Sequence, residues 1–280
     1  MIGIFRRGDE EAPNKLAVGI CTLGVMRIET LVMLMSTGMP LGQAQAFIIV
    51  VGKNVQDARN TAWNVAEGQG WEYFMFWDDD VVPLKFGAVE TLVETMDQNP
   101  EIDILGGVYP ARQGIPSPIV LKERNGNPWW GWEDGGIHKV WMTGTGFTIY
   151  RMSSVKKLKT PTKRLQTTKG PWDIREYFRL QDGTDDYVLA EDAAKAGLSW
   201  YVHGGIVADQ IETTGQRFEI KNARQRIGGK NGNSESTDTQ GSDDSGPAGV
   251  RAGNGRPADV RIRRPGGGRT RSGAGAGGKR

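Results

Sequence analysis

Apolar residues follow two alternating rhythms over the first hundred positions of this chain. Short unbroken runs at Leu16 to Thr22, Gln45 to Val51, Glu72 to Trp77 and Ile102 to Val108 read as buried strands. Between them, apolar positions three and four apart read as helices. The first covers Arg27 to Ser36 through Ile28, Leu31, Val32 and Met35. The second covers Val55 to Glu67 through Val55, Ala58, Ala62, Val65 and Ala66, with Gly68 and Gly70 ending it. Phe86, Val89, Leu92, Val93 and Met96 mark a third, closed by Asn99-Pro100. Strands alternating with helices of this length predict an α/β fold, a Rossmann-like, mostly parallel sheet flanked by helices.

From Tyr109 onward Pro110, Pro116, Pro118, Gly126 and Pro128 break the rhythm, so a hairpin-like insertion is expected around Ile119 to Lys122. Val140 to Met142 and Gly146 to Arg151 read as two further strands and Met152 to Leu158 as a short helix. Asp185 to Ala196, stopped by Gly197, is the last helix, and Ser199 to Val202 the last strand. Beyond about Gly228 periodicity ends and Gly, Ser, Asn, Asp and then Gly and Arg dominate. Such a segment buries too little apolar surface to offset its ordering entropy and is expected to be disordered. The organisation predicted is an extension over 1–15, one folded domain over 16–227 and a tail over 228–280.

The 280 residues, 38% of them hydrophobic, suffice for a sizeable core. The net charge is only +2, yet Arg251 to Arg280 carries nine cations against the single acid Asp259, so the folded part is mildly acidic. That tail is expected to bind a polyanion, either nucleic acid or an anionic membrane surface, or else to act as a solubilising end. Cys21 is the sole cysteine, which excludes an internal disulfide and a thiolate zinc cluster. Its apolar neighbours make it a small core residue. The charged start lacks a signal-peptide core, and no stretch approaches the roughly 18 apolar residues that span a bilayer. A cytoplasmic protein, at most peripheral to a membrane, is expected.

The chemistry concentrates at Asp78, Asp79 and Asp80, which follow the run ending at Trp77 and precede Pro83. Clustered acids repel one another and lose hydration, so they mark a metal site or an acid/base pair unless they only cap a turn. On an extended segment residues i and i+2 point the same way, so Asp78 and Asp80 are expected to share a Mg²⁺ or Mn²⁺ ion, with Asp79 turned elsewhere. Ligands of open parallel sheets lie beyond the carboxyl ends of strands, where this triplet falls. Arg59-Asn60, near a helix start, can face a phosphate or a base, or be solvated. Asp185-Asp186 opens a helix behind Thr184, a good N-cap; the pair serves the helix dipole or supplies a general base. Trp129, Trp130, Trp132, Trp141 and Trp172 suit the faces of sugar rings and equally suit a core. His138 and His203 are isolated and read as structural.

Taken in order, Ala58-Arg59-Asn60, Trp77 to Pro83, Gly106-Gly107-Val108-Tyr109-Pro110-Ala111-Arg112, Gly144-Thr145-Gly146-Phe147 and Asp185-Asp186 followed by Gly197 form a recognisable series. Between about Leu16 and Glu212 the chain resembles the family 2-like glycosyltransferases of the GT-A fold, especially short forms found in phage and environmental genomes. The resemblance implies a nucleotide-sugar donor (UDP- or GDP-linked), a Mn²⁺ or Mg²⁺ ion on the Asp-X-Asp acids, and inversion at the anomeric carbon of the sugar passed to a carbohydrate or other hydroxyl acceptor. By position it gives Asp78 and Asp80 to the metal, all of Asp78, Asp79 and Asp80 to the donor, Arg59 and Asn60 to the nucleotide side, and Asp186 the role of base beside Asp185. Gly144, Thr145 and Gly146, with Trp130, would border the acceptor. Gln210 stands where many relatives have a metal-binding histidine; its carbonyl oxygen can serve, or Asp209 or His203 substitutes. Nucleotidyl transfer on a metal-bound acidic cluster, and a non-catalytic nucleotide- or carbohydrate-binding relic, are the alternatives.

Overall fold

A computed structural model describes residues 1–38, 42–112, 116–167, 170–180, 184–212 and 214–220. The expected Arg-rich tail and the last residues of the 16–227 domain lie outside them.

In chain order the elements are β1 (Ile2–Arg7), β2 (Asn14–Thr22), α1 (Ile28–Ser36), β3 (Ala44–Val51), α2 (Val55–Gly68), β4 (Tyr73–Trp77), β5 (Val81–Pro83), α3 (Ala88–Gln98) and β6 (Ile104–Val108). There follow β7 (Val120–Leu121), a 3-10 turn at Gly131–Asp134, β8 (Ile137–Val140), β9 (Met142–Thr143), β10 (Phe147–Arg151) and α4 (Met152–Val155). The last are β11 (Thr162–Thr167), β12 (Gly170–Arg175), α5 (Asp185–Lys195), β13 (Trp200–Ile211) and β14 (Arg217–Phe218). The main sheet runs β1-β3-β2-β4-β10-β6-β13-β14. Its centre is parallel, β3 and β4 flanking β2 and β6 flanking β13, and antiparallel β10 is inserted between β4 and β6. Antiparallel partners close the margins: β1 on β3, and β14, β5 and β8 on β13.

The strand β4 shows why the sheet is covered on both faces. Phe74 and Phe76 enter one apolar cluster with Trp63 of α2, while Tyr73, Met75 and Trp77 enter the other with Val89, Leu92 and Met96 of α3. A period of two with both sets buried needs a helix layer on each side. The helices supply those layers as their spacing predicts, except that Phe86, expected on the apolar face of the third, precedes α3 and is exposed, and that α1 is turned over. On α1 the buried residues are Thr30 and Leu34, and the stripe Ile28, Leu31, Val32 and Met35 faces outward. The expected orientation of α1 is therefore reversed. This helix packs against β5, where Thr30 Oγ1 donates to the Val81 carbonyl at 3.3 Å.

Candidate functional site at the carboxyl ends of the parallel strands

Beyond the ends of β2, β3 and β4 lies a cavity of about 620 Å³ lined by Cys21, Thr22, Lys53, Ala58, Arg112 and the acidic triplet, with Leu23, Val25 and Arg27 at its rim. That volume is within the range of small-molecule sites, roughly 300–1,000 Å³. All three aspartates line it, because the chain turns instead of staying extended: Val81 N–H donates to the Asp78 carbonyl at 3.1 Å, and Trp77 Nε1 holds the Val81 carbonyl at 2.8 Å. The expected same-side pairing of Asp78 and Asp80 along a strand is thus replaced by a turn. Asp79 is not turned away from the cavity; it is half-buried there and bonded to the Thr22 hydroxyl.

Arg59 organises the acids. The helix α2 is capped by Asn54, whose side chain accepts from Asp57 N–H at 2.8 Å, and its alanines 58, 62 and 66 are buried. One turn beyond Arg59, Trp63 is fully buried and stacks on Tyr177 at 4.6 Å. The i, i+4 relation carries Arg59 onto the same face, where its guanidinium lies 5.8 Å from the Phe76 ring and 5.6 Å from Phe178. Its Nη2 donates to both carboxylate oxygens of Asp78 at 3.0 and 3.2 Å, and its Nη1 to Asp185 Oδ2 at 2.9 Å and Asp186 Oδ1 at 3.2 Å. The acidic turn after β4 and the start of α5 therefore meet on one buried cation. Expected near a nucleotide, Arg59 faces carboxylates instead. Asn60 is spent on the backbone of Phe178, donating to its carbonyl at 2.8 Å and accepting from its N–H at 2.9 Å, and does not line the cavity.

The Gly144-Thr145-Gly146 segment joins the same cluster. Asp78 N–H donates to the Gly146 carbonyl at 2.8 Å, and Gly146 N–H donates to Tyr109 Oη at 2.8 Å. The packing leaves no room for side chains: a Cβ on Gly146 would lie 2.3 Å from Asp78 Oδ2, and one on Gly144 2.2 Å from Tyr109 Oη. The Thr145 hydroxyl donates to Asp186 Oδ1. Asp186 is pushed up to about 6, first by burial, with the charges of Asp185 and Asp78 adding and Arg59 opposing. Thr184 occupies the N-cap of α5 with extended backbone, but its hydroxyl makes no capping bond.

Asp80 sits on the opposite side of the turn. Val81–Pro83 pairs with Ala208–Gln210, and Ile211 N–H donates to the Asp80 carbonyl at 2.8 Å, which brings Gln210 beside the triplet. Arg112 Nη1 is 2.9 Å from Asp80 Oδ2. The Gln210 amide satisfies both its atoms when Nε2 donates to the Pro110 carbonyl at 2.9 Å and Oε1 accepts from Arg112 Nε at 3.3 Å, an orientation that turns its oxygen toward Asp80. Asp80 is raised to about 6 by burial first and then by Asp78, with Arg112 opposing. Among the described residues no three His, Cys, Asp or Glu side chains are grouped to hold a metal ion. Asp78 is paired with Arg59 and Asp80 with Arg112, so each acid expected to hold the metal already answers a guanidinium, and the Gln210 oxygen faces Arg112 as well. The two proposed substitutes lie elsewhere: Asp209 pairs with Arg217 at 3.2 Å, and His203 lines a second cavity of about 380 Å³ with Lys85 and Phe86.

Trp130 is half-buried against the apolar core, its ring 6.4 Å from that of Trp132, and does not line the cavity. Cys21, read as core, is partly exposed on the cavity wall, and burial pushes its thiol up to about 12, so it carries no thiolate at neutral pH. Sequence reasoning gave no site role to Tyr109, named only within a motif, to Arg27, named only as a helix start, or to Lys53. Each follows the end of a parallel strand by a few residues, and that topological position was the available signal.

No protein-family model matches the chain, and no curated protein sequence matches it. Solved structures do. A197 from STIV aligns over 73% of this chain and 93% of its own at 15% identity, with a TM-score of 0.50. S. aureus TarS 1-349 in complex with UDP-GlcNAc aligns over 71% of this chain at 16% identity and a TM-score of 0.41, and the chain spans 59% of that fragment. The fold is α/β of the GT-A type, with a mostly parallel central sheet between helix layers.

Proposed function

We propose that this chain moves a sugar from a nucleotide-sugar donor to an acceptor hydroxyl. The observation that carries the reading is the meeting, on buried Arg59, of an acidic turn and of a second carboxylate pair that begins 126 positions beyond Arg59, beside a cavity at the strands' carboxyl ends. The donor diphosphate would lie against Lys53, Arg27 and Arg112, cations that line the cavity. Asp186 would take the proton of the acceptor hydroxyl as that oxygen attacks the anomeric carbon, while the bond from that carbon to the diphosphate oxygen breaks with inversion. Its raised pKa keeps a base of useful strength ionised at neutral pH. Arg59 and Thr145 would hold that carboxylate in place, and Asp185 would keep Arg59 in position.

A Mg²⁺ or Mn²⁺ ion would be held by Asp80 and the Gln210 oxygen, with Arg112 leaving both for the donor phosphates. Bound there, it would stabilise charge on the departing diphosphate. UDP- and GDP-sugars are the donors to try first.

Three cations around one cavity also suit a triphosphate, which keeps nucleotidyl transfer as the second reading. The test incubates the protein with Mn²⁺ or Mg²⁺, with and without EDTA, against panels of nucleotide sugars and nucleoside triphosphates. Free nucleoside diphosphate from a sugar donor supports transfer of a sugar. Pyrophosphate from triphosphates supports the second reading, and binding without turnover supports a relic.

A further inference from the structure

We propose that the outward face of α1 docks on an anionic lipid bilayer and sets the cavity mouth at the membrane surface. The helix is amphipathic in sequence but inverted in the fold: Ile28 is 65%, Val32 51% and Met35 61% exposed, and Leu31 40%. Leu23 and Val25, 82% and 67% exposed, lie in the segment that leads into this helix and line the cavity. Four large apolar side chains on one helix face, with two more exposed just before it, are unusual for a face that meets only water. Glu29, the single acid of α1, is half-buried.

What borders the patch selects the occupant. Arg7 reaches its far end, Nη2 lying 3.6 Å from Met35 Sδ, and Phe5, two residues earlier on the same strand and thus on the same side, is 59% exposed. Arg27 stands at the cavity end of the helix, where the lining holds Lys53 and Arg112 together with Asp78, Asp79, Asp80 and Glu212. A two-fold contact with a second copy would set the arginines at the borders of the patch against their own copies. Outside the described residues the same chain carries nine cations against one acid between Arg251 and Arg280. An anionic bilayer accepts the apolar side chains between acyl chains and attracts the cations, the two signals that stable peripheral binding requires. This inference stands apart from the sugar-transfer reading, since its readout is binding.

The test is co-sedimentation of the full chain with vesicles of phosphatidylcholine alone and of phosphatidylcholine with 30% phosphatidylglycerol, at low and high salt. The expected result is salt-weakened binding to the anionic vesicles that falls about tenfold or more in Leu31→Glu/Val32→Glu. Both positions are exposed, so the melting temperature should be unchanged. Equal binding by wild type and variant would assign any membrane affinity to other parts of the chain and overturn the proposal. So would absence of binding at low salt, or a wild-type dimer in sedimentation velocity that the variant abolishes.

Discussion

At Arg59 one cation answers three carboxylates that come from two distant segments, and the arrangement is tolerable only while all members are present. Removing one partner from such a buried network leaves unpaired charge and costs about 3–5 kcal/mol. Arg59→Met should therefore lower stability by about that amount in urea unfolding, and Arg59→Lys should recover only part of it, because an ammonium cannot fork across Asp78 and Asp185 together. Asp186 is the residue for a different test. Asp186→Asn should keep nucleotide affinity and lose about 10²–10⁴-fold in transfer rate, measured by nucleotide titration beside turnover. The pH dependence separates activity from stability. Because the folded pKa of Asp186 lies above its unfolded value, the native state retains the proton to higher pH, and its contribution to stability is present at low pH and lost as pH rises from 3.8 through about 6. A base works only when ionised, so turnover should rise over that same window. The Asp186→Asn protein should lose the turnover limb and keep only the part of the stability limb that Asp80, itself raised to about 6, contributes.

The chain's elements divide by whether a local rhythm announces them. The second helix, β4 and the presence of an acidic triplet after it were legible because a periodic apolar face and a cluster of like charges are local signals; that the triplet turns was not. The orientation of α1 was not, since its apolar stripe satisfies the helical pattern while Thr30 and Leu34 do the packing. The short strands β5 and β14 exist through their pairing with distant β13, and in the β11–β12 hairpin β11 is polar but for Leu165 while β12 alternates only over Trp172 to Arg175, so neither kind leaves a clear mark in sequence. Of the site, the acids were visible as residue types, but their common partner was not. A bond between positions 59 and 185 has no signature shorter than the fold itself. The Gly144-Thr145-Gly146 segment stands between these cases, noticed as a motif and explained by contact. With its missing Cβ only 2.3 Å from Asp78 Oδ2, Gly146→Ala must displace either that carboxylate or the β10 entry. Nucleotide affinity should fall at least tenfold while far-ultraviolet circular dichroism stays native. An unchanged affinity would detach Asp78 from the donor site.

For the whole molecule, the two chain ends make contrasting predictions about which segments the sheet requires. Residues 1–15, charged and without an apolar rhythm, read as an extension, yet Ile2–Arg7 pairs with β3 over six consecutive positions and closes the edge of the sheet. Arg6 secures the connection, donating to Asn14 Oδ1 at 2.6 Å and to the Ala12 carbonyl at 2.9 Å. Without β1, the apolar strand Ala44–Val51 would present an unpaired edge to solvent, a template for pairing with another chain. The tail from 228 onward has a composition that cannot form a packed core. Deleting residues 1–13 should thus lower the melting temperature by several degrees and promote aggregation on heating, followed by light scattering. Deleting residues 229–280 should leave the melting temperature within about a degree of the full chain, as expected for loss of a segment outside the core. A large drop for the second deletion with none for the first would reverse the assignment and place the tail, not β1, in the folded unit.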